Sequence, residues 1–136
     1  MFDPIQDTVQ TLKVDEGYRK YMYKDTLGFT TIGYGTNLDD GLDREESEAV
    51  MRVRVLRSAK RLRSAGLGTI HPSAFSVCLQ MCYQLGDAGF FKFRNTIKYL
   101  RSHEYRKASY EMLDSVWADQ TPERAGRLSL RIWKLE

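Results

Sequence analysis

The stretch from Asp15 to Asp39, DEGYRKYMYKDTLGFTTIGYGTNLD, constrains the fold more than any other, because the chain changes period inside it. Before it, residues 3–16 read as a helix: Asp3 suits an N-cap, Pro4 suits the first helical position, and Ile5, Val9 and Leu12 fall at i, i+4 and i+7. Gly17 suits the C-cap, so Glu16 occupies the last turn, where the helix dipole disfavours a carboxylate. After Gly17 the pattern becomes aromatic and β-branched. Lys24-Asp25-Thr26-Leu27-Gly28 reads as a turn, and Phe29 to Tyr34 suits a strand interrupted by Gly33 and Gly35. The expectation is a small antiparallel hairpin or three-stranded sheet.

The rest of the chain returns to helix. Asp43 and Glu46 form a capping box for a helix to about Ala65, with acids in its first turn and Arg57, Lys60, Arg61 and Arg63 in its second half. Pro72 opens a helix to about Leu85, apolar nearly all round and therefore expected at the centre of a core, with Gly86 as its cap. Asp87-Ala88-Gly89 reads as a loop. Shorter helices are expected near 95–101, 104–114 and 122–133. Trp117 to Pro122 punctuates the last two, and Thr121 is placed to N-cap a helix beginning at Pro122. The fold class is thus α+β and mainly α-helical, with one small antiparallel sheet near the N-terminus.

With 136 residues, 42% of them apolar, the chain suits a single domain. No run of apolar residues reaches membrane-spanning length, and the start has no basic region of the kind that opens a secretory signal. Cys78 and Cys82, four apart in an apolar helix, read as core residues rather than a disulfide. The two histidines, His71 and His103, form no ligand-spaced cluster, so no metal or other cofactor is expected. Charge is divided. Residues 1–50 carry 5 Lys/Arg and 11 Asp/Glu, whereas residues 51–136 carry 16 and 7. This split raises the expectation of a polyanionic partner.

Two carboxyl groups facing each other can protonate a glycosidic oxygen and activate a water, and Glu16 and Asp25 are candidates for that pair. Spacing alone is weak evidence among 18 acidic residues. The ordered string is stronger. Asp15-Glu16-Gly17, Tyr23-Lys24-Asp25-Thr26, Gly28 and Thr31-Ile32-Gly33-Tyr34-Gly35 resemble the phage-type lysozymes of glycoside hydrolase family 24. Tyr83-Gln84-Leu85-Gly86, Asn95-Thr96, Trp117, Gln120-Thr121-Pro122, Arg124-Ala125 and Arg127 continue the resemblance, which spans about Val9 to Arg131.

The resemblance implies a single lysozyme domain in two lobes: an N-terminal lobe of about 14–45, a linking helix of about 46–65 and a helical C-terminal lobe of about 70–136, with the helix at 3–16 bridging. It implies hydrolysis of the β-1,4 bond between N-acetylmuramic acid and N-acetylglucosamine in peptidoglycan, by enzymes similar to inverting ones. Glu16 would be the general acid, and Asp25 and Thr31 would position or activate the water. Tyr83, Gln84 and Thr96 would bind the saccharide, and Arg124 would pair with Glu16 across a cleft.

Three positions depart from the family pattern: Thr36 where His is frequent, Asn37 where an apolar residue occurs, and Glu111 where a neutral polar one occurs. The alternative reading is a non-catalytic glycan-binding domain of a phage tail, against which the intact Glu16, Asp25 and Thr31 speak. Nucleic-acid binding by the basic half lacks a recognised motif, and the basic half is better read as steering toward an anionic wall. The expected partner is the glycan strand, with no nucleic acid and no membrane insertion, and a monomer outside a virion. The expected location is the host cytoplasm before release onto periplasmic peptidoglycan, the alternative being a virion tail.

Overall fold

Capping chemistry sets the first element. In the computed structural model, which describes Met1–Glu136, helix α1 (Pro4–Glu16) starts at Asp3, whose Oδ1 accepts the amides of Ile5 at 3.0 Å and Gln6 at 3.2 Å. It stops at Gly17, whose N–H returns to the Lys13 carbonyl at 3.2 Å. The apolar stripe exists as a helix face but does not build a core. Ile5, Val9 and Leu12 are 75%, 42% and 46% exposed, and no residue of α1 is buried.

The chain divides into two compact units, Met1–Glu48 and Ala49–Glu136. In the first, strands β1 (Arg19–Lys24), β2 (Thr30–Gly33) and β3 (Thr36–Asn37) form an antiparallel sheet in that order, as the change of period predicts. Thr31 pairs with Tyr23 on one side and Asn37 on the other. The capping box also forms: Asp43 Oδ1 accepts the Glu46 amide at 2.8 Å, and Glu46 Oε1 accepts the Asp43 amide at 3.1 Å. It opens helix α2 (Arg44–Leu62). A widened turn at Arg63–Leu67 closes α2, with Gly66 at φ 82°, and Arg101 donates to the Ala65 carbonyl there at 2.9 and 2.6 Å.

The hydrophobic core lies in the second unit. Helix α3 (Pro72–Leu85) buries Ala74, Val77, Cys78, Met81 and Cys82 and packs against α4 (Asp87–Phe91) and α8 (Pro122–Trp133). Helices α5 (Arg94–Arg101) and α6 (Tyr105–Leu113) pack on each other, and α6 on α8, through residues three and four apart such as Ile97/Leu100, Ala108/Met112 and Ala125/Leu128/Ile132. Cys78 and Cys82 are free and buried, as expected. Burial pushes both thiols up to about 12.

Two short helices replace predicted loops. The turn-forming residues Asp87-Ala88-Gly89 open α4, which is anchored by the fully buried Phe90. Helix α7 (Val116–Gln120) is capped by Ser115, whose Oγ accepts the Ala118 amide at 3.1 Å, and it buries Trp117. Thr121 stands at the N-cap position of α8, but its hydroxyl donates backwards to the Trp117 carbonyl at 2.9 Å and does not cap α8. No helix is long and apolar enough to cross a membrane.

Candidate active site

The first unit carries the three candidate catalytic groups, and hydrogen bonds fix two of them, Asp25 and Thr31. Asp25 sits at the turn between β1 and β2. Its Oδ1 accepts the amides of Leu27 at 2.9 Å and Phe29 at 2.8 Å, while its own N–H and C=O bond Phe29 O and Gly28 N. One carboxylate oxygen therefore fixes the turn, and no protein donor holds Oδ2. Thr31 is the only buried side chain of this unit, and its hydroxyl donates to Phe29 O at 3.0 Å. Strand alternation and the pairing of Tyr23, Thr31 and Asn37 put these side chains on one sheet face.

Glu16 reaches this frame through Gly35. A Cβ on Gly35 would lie 2.7 Å from Glu16 Oε2 and 2.9 Å from its Cδ, so the carboxylate rests on the bare Cα of the turn joining β2 to β3. Gly35 also has φ 70°, which disfavours a side chain independently. The rings of Tyr18 and Tyr34 pack at 5.4 Å, and Lys13 Nζ stands 5.9 Å from the Tyr34 ring. These contacts bring the end of α1 onto the sheet. Glu16 itself is exposed and has no ion-pair partner in its unit.

The second unit carries a cavity of about 570 Å³ lined by α4, α5, α6 and α7. Thr96 lies in its wall, buried. Trp117 lies beside it, edge-on to Phe93 at 5.9 Å, and its Nε1 donates to Gln84 Oε1 at 3.0 Å. Gln84 thus orients the indole and keeps its amide nitrogen for another partner. Lys92 and Arg94 share the lining with Glu111 and Asp114, so the cavity carries both signs of charge.

Of the residues predicted to bind saccharide, Thr96 lies at this cavity and Gln84 contacts it through Trp117. Tyr83, half exposed, lines a different hollow with Arg54, Arg57, Arg61 and Asp87. Arg124 lines a shallow hollow at the start of α8 with Thr121, Glu123 and Arg127, and it makes no hydrogen bond or ion pair within its unit. Sequence reasoning missed the seat that Gly35 provides for Glu16. The signal was present in the Gly33-Tyr34-Gly35 run, but only the fold shows which glycine meets the carboxylate.

The family model described as Phage lysozyme matches residues 13–130 of the chain. The chain is also similar to two curated proteins of Dictyostelium discoideum, Probable T4-type lysozyme 2 and Probable T4-type lysozyme 1. Each is 27% identical over 149 aligned residues, covering 86% of this chain and 88% of the relative.

Proposed function

This chain belongs to the phage lysozyme family, and from that premise we propose that, as a lysozyme-type peptidoglycan hydrolase, it cleaves the β-1,4 bond between N-acetylmuramic acid and N-acetylglucosamine. The observation that carries the reading is the seating of the Glu16 carboxylate on Gly35, in the same small unit as Asp25 and Thr31. Glu16, exposed and held at one edge, is the general acid for the leaving oxygen. Asp25, with Oδ1 engaged by the turn and Oδ2 open, orients the attacking water or stabilises oxocarbenium-like charge. The Thr31 hydroxyl donates its proton to Phe29 O, which leaves its lone pairs to accept a hydrogen bond from that water. Tyr83, Gln84 and Thr96 are proposed to bind substrate, and Arg124 to support the acid.

The test is clearing of outer-membrane-permeabilised Gram-negative cells, with analysis of the reducing ends released from purified peptidoglycan. Wild type should clear the cells and release N-acetylmuramic acid ends. Glu16→Gln should lose activity by at least about 100-fold. Equal, slow clearing by both would sink the enzyme reading in favour of a glycan-binding domain. The enzyme is further proposed to be made in the host cytoplasm and to act on periplasmic peptidoglycan after release. Its detection in purified virions would favour the tail-borne setting.

A further inference from the structure

From Ala49 to Gly86 the chain contains no Asp or Glu, yet Arg54, Arg57, Lys60, Arg61 and Arg63 crowd the second half of α2 and the turn that follows. Arg54, Arg57 and Arg61 recur at i, i+3 and i+7 and so share one helix face. That face meets the α3–α4 junction. The three arginines, with Ser58, Cys82, Tyr83, Gly86 and Asp87, wall a cavity of about 390 Å³ within the second unit. Asp87 is its only carboxylate, and Asp87 is occupied. It accepts the Ser58 hydroxyl at 2.6 Å through Oδ1 and the Arg61 guanidinium through Oδ2. Ser58 is buried, so this corner is fixed. Arg54 and Arg57 are exposed and make no hydrogen bond, ion pair or ring contact. A neighbouring hollow shares Arg57 and Arg61 and adds Lys60 and Phe91, so positive charge continues past the cavity rim.

Cations at three- and four-residue spacing repel along a helix and weaken it. Arg61 has a structural return in Asp87, whereas Arg54 and Arg57 have none. Each guanidinium is a planar fork of donors that matches an oxyanion in two bonds. One fork satisfies a carboxylate, as Arg61 does with Asp87. Two free forks at the mouth of one cavity match a tetrahedral anion with more oxygens to share. We propose that this cavity is a binding site for a phosphate group, with Arg54 and Arg57 as its ligands, Arg61 as a fixed cationic wall and Tyr83 as its half-exposed side. The site is built from residues of the second unit alone and does not depend on the role of Glu16, Asp25 and Thr31. The phosphate source is either a free phosphate or a phospholipid headgroup.

The full chain, labelled with ¹⁵N, is titrated with inorganic phosphate and separately with acetate at matched ionic strength, and its sedimentation is measured with phosphatidylglycerol and phosphatidylcholine vesicles. Arg54→Gln/Arg57→Gln is run beside wild type, with Arg61 left intact because it holds Asp87. Saturable amide shifts with phosphate around Ser58, Tyr83 and Asp87, weakened at least about tenfold in the double variant at an unchanged thermal midpoint, are the expected result for free phosphate. Sedimentation with phosphatidylglycerol alone, lost in the double variant, assigns the headgroup instead. The proposal is overturned if neither probe binds, if the double variant binds either probe as wild type does, or if acetate shifts the same amides at the same concentration.

Discussion

The two units hold themselves together by different physics. Met1–Glu48 buries a single side chain, Thr31, and relies on caps and turns: Asp3 on α1, Asp25 on the β1–β2 turn, and Asp43 with Glu46 on α2. Ala49–Glu136 holds the hydrophobic cluster from Leu62 to Ile132. Hydrogen bonds of this kind contribute about 1 kcal/mol each. Burial of large apolar side chains contributes about 1.5–3 kcal/mol each. The proposed chemistry therefore sits on the part with the least burial. Glu16 is exposed there, and the order of the unit depends on local polar geometry.

The sharpest way to break this comparison is to separate the units. Residues 49–136 made alone should remain helical, with amides of α3, α6 and α8 protected from hydrogen exchange, whereas residues 1–48 alone should show no cooperative melt. A fragment this short is below the size at which a single core usually suffices. Cooperative unfolding of 1–48 would refute the contrast. Next in size is Glu16→Gln, which should reduce lysis by at least about 100-fold with little change in thermal midpoint, because Glu16 is exposed. Phe90→Ala should do the reverse. It removes a fully buried ring from the second unit and should destabilise by about 3–5 kcal/mol in urea titration, while the protein that remains folded keeps its specific activity.

Gly35→Ala lies between these two kinds of variant. Its positive φ costs about 1 kcal/mol or more, and the new methyl must displace the Glu16 carboxylate. Activity should fall by roughly tenfold to 100-fold, out of proportion to the stability change. A variant as active as wild type would show that the seat on Gly35 does not position the acid. The smallest expected effect is on pH dependence. Burial raises the Asp87 carboxyl, but the hydrogen bonds from Ser58 and Arg61 outweigh it and hold the group below the usual carboxylate range. A depressed folded value gives stability that is present above the unfolded pKa of about 3.9 and lost as pH falls through the folded one. Asp87→Asn should flatten the acid limb of the melting curve below about pH 4. An unchanged acid limb would mean that the Arg61 pair contributes nothing there.

Much of this was legible in the sequence because it is local. Asp3-Pro4, Gly17, Asp43 with Glu46, and Gly86 each act on neighbours a few residues away, and the change of period after Gly17 announces a sheet. The family string named Glu16, Asp25 and Thr31 as candidates before any geometry. Where local signals misled, a distant contact had intervened. Asp87-Ala88-Gly89 has the composition of a loop, but burial of Phe90 winds it into α4. No local signal announces the bond from Trp117 Nε1 to Gln84 Oε1 either, because 33 residues separate the two.

The sequence by itself determined the class of elements, their caps, the family and the order of the candidate acids, since each is written in neighbouring residues or in an ordered string. Only the tertiary structure decided that Gly35 is the surface on which Glu16 rests, that Asp25 gives one oxygen to its own turn, and that Arg54 and Arg57 share a cavity with an already paired Asp87. Those facts depend on which surfaces the chain brings within a few ångströms of each other. Helical period and turn chemistry do not encode that.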